Sequence, residues 1–101
     1  MSRQKQLESA AQLVGNADAH IVLYQNQTGI REALEYMGQA QIRIQAKTWN
    51  DEEIERFRQL ARRRATQEIE ERTGETRGKK HDEAINEAAS LIEQFIQQRM
   101  K

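Results

Sequence analysis

The chain has 101 residues with 16 basic and 16 acidic side chains, no cysteine and no proline. At 37% hydrophobic and 32% charged it is more polar than an average globular chain, which runs roughly 45–50% apolar and about 25% charged. That leaves room for one domain with a modest core and little room for an enclosed cofactor cavity. A cysteine-free chain has no disulfide framework, thiolate metal site or cysteine nucleophile, and zero net charge argues against a surface built throughout to coat nucleic acid.

The longest apolar run, Ile21-Val22-Leu23-Tyr24, falls far short of the ~18 residues that span a bilayer. No charged-then-apolar leader opens the chain, so the expected location is cytoplasmic, with no membrane partner. Asn26-Gln27-Thr28 matches the N-glycosylation pattern and, without a secretory signal, reads as a chance match.

Abundant Gln, Glu, Arg and Ala without proline predict an all-α fold, a single helical domain over 1–101 with four to five helices. Its main helices are expected at about 28–47, 51–73 and 82–100. Leu7, Ala10, Ala11 and Val14 recur at helical spacing; they predict a short, fraying helix that Gly15-Asn16 could end, after a flexible 1–6. Ala17, His20, Ile21 and Tyr24 repeat the spacing, although a run such as 21–24 also suits a buried strand; helix is the expected state.

Thr28 can cap the next helix, whose stripe is Ile30, Ala33, Leu34, Met37, Ala40 and Ile44. Ile30, Met37 and Ile44 are seven apart, and the alanines between them would let a partner helix approach closely. Trp49-Asn50-Asp51-Glu52-Glu53-Ile54 carries the strongest local signal. Asn50 and Glu53 form a capping box, Trp49 and Ile54 take the staple positions, and the acids suit the positive end of the helix dipole. Ile54, Phe57, Leu60 and Ala61 follow, Arg62-Arg63-Arg64 interrupt the stripe, and Ile69 resumes it, so the helix either runs from 51 to 73 or breaks near 65.

Residues 74–81 contain no apolar side chain and read as a flexible loop. Asp82 can then cap a last helix with the stripe Ile85, Ala88, Ala89, Ile92, Phe95 and Ile96, the most hydrophobic of the set and the expected core element.

Little in this inventory supports catalysis. His20 sits on an apolar stripe, where a hydrogen-bonded core histidine is the common explanation, and His81 falls in the polar loop. No metal, nucleotide or calcium motif is present. Glu52/Glu53 and Glu70/Glu71 are adjacent and so diverge around a helix. The expectation is a non-enzymatic protein with no catalytic, cofactor or metal residues and no evident small-molecule substrate.

Two kinds of interaction remain. A thin set of large apolar side chains favours association with a protein partner or a second copy, as an accessory or regulatory factor, with Ile30, Leu34, Met37, Ile44, Ile92, Phe95 and Ile96 as the interface. The alternative uses the basic stretch 56–80 on DNA phosphates, through Arg56, Arg62, Arg63, Arg64, Thr76, Arg77, Lys79 and Lys80. Acidic neighbours offer a simpler use for those charges, pairing Glu52 with Arg56 and Glu68 with Arg72 along a solvated helix. Trp49, Glu53, Phe57 and Leu60 are spaced as in the opening helix of Myb-like domains, and residues 66–80, with Gly74 at the turn, resemble a bacterial helix-turn-helix. That resemblance implies a recognition helix opened by Thr76, Arg77, Lys79 and Lys80. The sequence departs from that pattern at Glu70, Glu75 and Lys80.

Overall fold

In the computed structural model, which describes residues 2–45 and 47–101, each of four helices begins where the chain supplies a partner for the first free amides or a turn glycine. Helix α1 (Arg3–Leu23) follows Ser2, whose side chain accepts from the Lys5 amide. Helix α2 (Gln27–Ile44) is capped by Asn26 through the Gly29 amide at 2.9 Å. Asn50 and Glu53 close the capping box of α3 (Asp51–Thr73), and Trp49 and Ile54 are both buried beside it. Helix α4 (Lys79–Arg99) follows Gly78 with no side-chain cap.

Several expected boundaries move. The two short segments at the start are one helix, because Gly15 does not terminate it. A Cβ on Gly15 would lie 2.6 Å from the Ala61 carbonyl oxygen and 2.7 Å from the Arg64 Cβ, so this glycine is where α3 crosses α1 at close range. Residues 3–6 are therefore helical, while Met1 lies outside the described residues. Asn26 replaces Thr28 as the cap of α2, and that helix ends at Ile44, with Ala46 outside the described residues. Helix α3 runs unbroken past residue 65, since Ala65 and Ile69 stay buried on its inner face. It ends at Gly74, whose φ of +71° is the left-handed region. Helix α4 starts three residues earlier than Asp82, taking Lys79, Lys80 and His81 out of the expected loop.

The larger correction concerns the centre of the fold. Helix α1, expected to fray, packs against α2, α3 and α4, and α4 is not the central element. Ala10, Ala11, Val14, Ala17 and Ala19 are all fully buried. Small side chains on several sides let three helices approach one axis, so a helix without a strong apolar stripe is buried over most of its circumference.

Successive helices run in opposite directions. Arg3 bonds Glu53 at 2.7 Å and Arg64 bonds Asn16 at 2.6 Å, which places α1 parallel to α3. Helices α3 and α4 form an antiparallel hairpin, from His81 on Glu70 at 2.9 Å near the turn to Phe57 stacked on Phe95 at 5.7 Å near the far end. Helix α2 folds back on α1 and has at most a marginal approach to the α3–α4 pair. It is thus separated from that hairpin by two clefts, one on each side of α1.

Candidate functional site

Successive residues of an α-helix are turned by about 100°, so Asp18 and His20 point to nearly opposite sides of α1. Each lies at one of the two clefts beside α2. With Glu68, they are the buried polar side chains among the described residues.

The cleft between α2 and α3 is polar and of about 650 Å³. His20 places Nδ1 2.8 Å from the Asn16 carbonyl oxygen and Nε2 3.3 Å from Glu32 of α2. Its ring lies edge-on between Tyr24 and Tyr36, each 5.5 Å away. Across the cleft, Glu68 receives Arg64 at 2.5 Å and Arg72 at 3.1 Å, and Arg64 also donates to Asn16. Arg64 and Arg72 converge on Glu68 while His20 stands against Glu32, a polar clasp that joins α1, α2 and α3.

The opposite cleft, between α2 and α4, has a volume of about 210 Å³. Asp18 and Ile21 of α1 form its floor, with Met37 and Gln41 on one wall and Gln94, Phe95 and Gln98 on the other. Asp18 is fully buried and neither of its carboxylate oxygens has a hydrogen-bond partner among the described residues. Desolvation raises its pKa to about 8, so the carboxyl carries its proton at neutral pH. Sequence reading passed over this residue, although it follows Val14 by four and Ala11 by seven and so falls on their buried stripe.

The residues expected at an interface divide in two. Ile44, Ile92, Phe95 and Ile96 are buried in the chain's own core, and Met37 is half-buried against it. Ile30 and Leu34 remain exposed at 46% and 65%, and Ile42, which was not singled out from the sequence as an interface residue, is exposed at 67%. The basic residues expected on DNA are dispersed. Arg62 reaches Glu93 at 3.4 Å, Arg64 belongs to the polar clasp, and Arg56 stands beside Glu52 and Glu53. Arg63 is exposed on a third side of α3, and Thr76, Arg77, Lys79 and Lys80 are exposed at the α3–α4 turn and the first turn of α4. Glu93 is also held by Arg58 through two 2.7 Å bonds, which keep its carboxyl below the usual range. His81, expected as a loop histidine, is instead tucked between Glu70 and Asp82.

A helix-turn-helix needs two helices crossed at about 90–120° over a 3–4-residue turn. Here α3 and α4 lie side by side over most of their length, joined by residues 74–78. No family model, curated protein or solved structure matches this chain.

Among the described residues no group of three His, Asp or Glu side chains could hold a metal ion. No helix there is long and apolar enough to cross a membrane.

Proposed function

We propose that this protein acts by association rather than by catalysis, and that its contact surface is the outer ridge of α2, which pairs with the same ridge of a second copy. The observation that carries this reading is the position of Gly38. A glycine in mid-helix costs about 1 kcal/mol relative to alanine, and a Cβ built on Gly38 would meet nothing within 4 Å. Among the described residues nothing uses that glycine.

Its neighbours at spacing four are Leu34 and Ile42, with Ile30 four residues before Leu34. These three are the exposed large hydrophobic side chains among the described residues. Residues four apart form one of the ridges by which helices interlock, with axes crossing near −50°. In an antiparallel two-fold crossing at Gly38, Leu34 of one copy meets Ile42 of the other and the two glycines face each other, so the ridge is complementary to itself.

One helix ridge buries less than the ~800 Å² per partner of a standard interface, so the dimer is weak and forms in the micromolar-to-millimolar range. Sedimentation velocity from about 10 µM to about 1 mM should follow a monomer–dimer equilibrium. Leu34→Glu, at an exposed position, should keep the helical content of the parent and weaken dimerisation at least tenfold. A parent protein that stays monomeric through ~1 mM defeats the reading. The DNA-binding alternative has less behind it, because Arg62, Arg63 and Arg64 diverge around α3 and α4 lies along α3 instead of crossing it.

A further inference from the structure

The cleft on the α4 side of α1 contains a carboxyl group that the fold leaves unanswered. Among the described residues Asp18 has no exposed surface and no hydrogen-bond partner on either oxygen, whereas His20 and Glu68, the other buried polar residues there, are both bonded. An unpaired buried carboxyl costs free energy that an apolar residue at position 18 would not. The cleft above it is open and of about 210 Å³, room for roughly seven waters at about 30 Å³ each, or for a short aliphatic chain.

The lining narrows the chemistry. Met37 and Phe95 give the walls an apolar surface, Gln41, Gln94 and Gln98 stand around it, and Asp18 lies just under the floor with no accessible surface, so a ligand reaches its oxygens only by displacing the side chains over it. A ligand that suits this order has an apolar stem and a compact cationic donor at its tip. We propose that the α2–α4 cleft binds a primary ammonium group on an aliphatic stem, with the nitrogen held by Asp18 and the stem lying on Met37 and Phe95. An ammonium offers the three donors that a carboxylate with two free oxygens can take. The site is separate from the outer ridge of α2 and does not depend on dimerisation.

Arg99 is the other charged residue that lines this cleft. It is exposed, and as a cation at the edge of the cleft it competes with an incoming ammonium. The walls contributed by α2 and the rest of α4 are uncharged. Burial keeps the Asp18 carboxyl protonated to about pH 8, so the ligand must displace that proton. Affinity therefore climbs with pH, by up to about tenfold per unit between pH 6 and 8, while an aliphatic amine stays protonated throughout that window.

The test titrates the whole protein with n-butylammonium chloride and, separately, with n-butanol, a neutral molecule of the same shape. Thermal unfolding and the NMR methyl signals of Ile21 and Met37 report binding. The expected result is a saturable rise in Tm with n-butylammonium, methyl shifts confined to the cleft, no such response to n-butanol, and affinity increasing from pH 6 to pH 8. Asp18→Asn replaces the carboxyl by a neutral group of the same size and should weaken binding roughly tenfold or more, whereas Arg99→Gln should tighten it. A blocked lysine, N-acetyl-lysine amide, distinguishes the source. Tighter binding of the blocked lysine assigns the cleft to a protein side chain, and tighter binding of n-butylammonium assigns it to a free amine. No saturable response of the parent up to pH 9, an equal response to n-butanol, or an unchanged affinity in Asp18→Asn would overturn the proposal. The pH series on the parent protein decides the matter even where a variant fails to fold.

Discussion

Asp18 is the residue at which local chemistry and the fold disagree most. Its carboxyl is raised from 3.8 to about 8 by burial, and the direction of the resulting pH effect follows from linkage. The folded chain holds a proton that the unfolded chain releases above pH ~4, so as far as this group is concerned stability is highest at low pH and falls as pH rises to about 8. Glu53 and Glu93 have the opposite displacement, because Arg3 and Arg58 favour their charged forms. Their effect is confined to acid below the ordinary glutamate range. Between pH 5 and 8 the slope from Asp18 therefore stands clear of these two, at up to about 1.4 kcal/mol per pH unit. Urea unfolding of the parent beside Asp18→Asn should show the variant gaining relative stability as pH rises through this window, with the difference levelling off above pH ~8. A constant difference across the window would mean that Asp18 is not buried as described.

At the scale of elements, the start of α4 depends on a histidine. Gly78 offers no side-chain cap, and His81 in the first turn bridges to Glu70 near the end of α3 and to Asp82 beside it. The two carboxylates raise the His81 pKa above its ordinary value, with the bond to Glu70 the larger cause. The stabilisation is complete below the unfolded value of 6.5 and disappears as pH rises through the folded value. Amide exchange over residues 75–83, corrected for its intrinsic pH dependence, should become faster across that interval, and His81→Gln should abolish the step. The polar stretch 74–81 does not carry this information by itself. Only the return of α4 along α3 brings Glu70 within reach of a residue eleven positions later.

The whole molecule is a three-helix unit of α1, α3 and α4 with α2 attached to α1 along one side. Two clefts rather than packed side chains separate α2 from the α3–α4 hairpin, and Glu32 beside His20 is where α2 meets the polar clasp. An element that packs on one neighbour opens at lower free energy than one packed on three. Native-state hydrogen exchange should therefore find the α2 amides least protected among the helix interiors, with α1 exchanging only on global unfolding. Equal protection of α1 and α2 would show that the clefts close in solution.

What could be read from the residues alone was what neighbours in sequence determine. The all-α composition, the capping box at Asn50 and Glu53, the end of α3 at Gly74 and the apolar face of α4 each depend on contacts within about one helical turn. What could not be read was which helix becomes the centre. Alanine and glycine carry weak apolar signals, yet in α1 they permit three helices to reach one axis, so a segment with little apparent stripe is buried deepest. The same cause made Ile44, Ile92, Phe95 and Ile96 core residues, left Ile30, Leu34 and Ile42 outside, and enclosed Asp18. Burial is a property of where helices meet, and pairings such as Gly15 with Ala61 bring together residues far apart in the chain. Periodicity within one helix identifies a face, but the tertiary structure alone decides what that face meets.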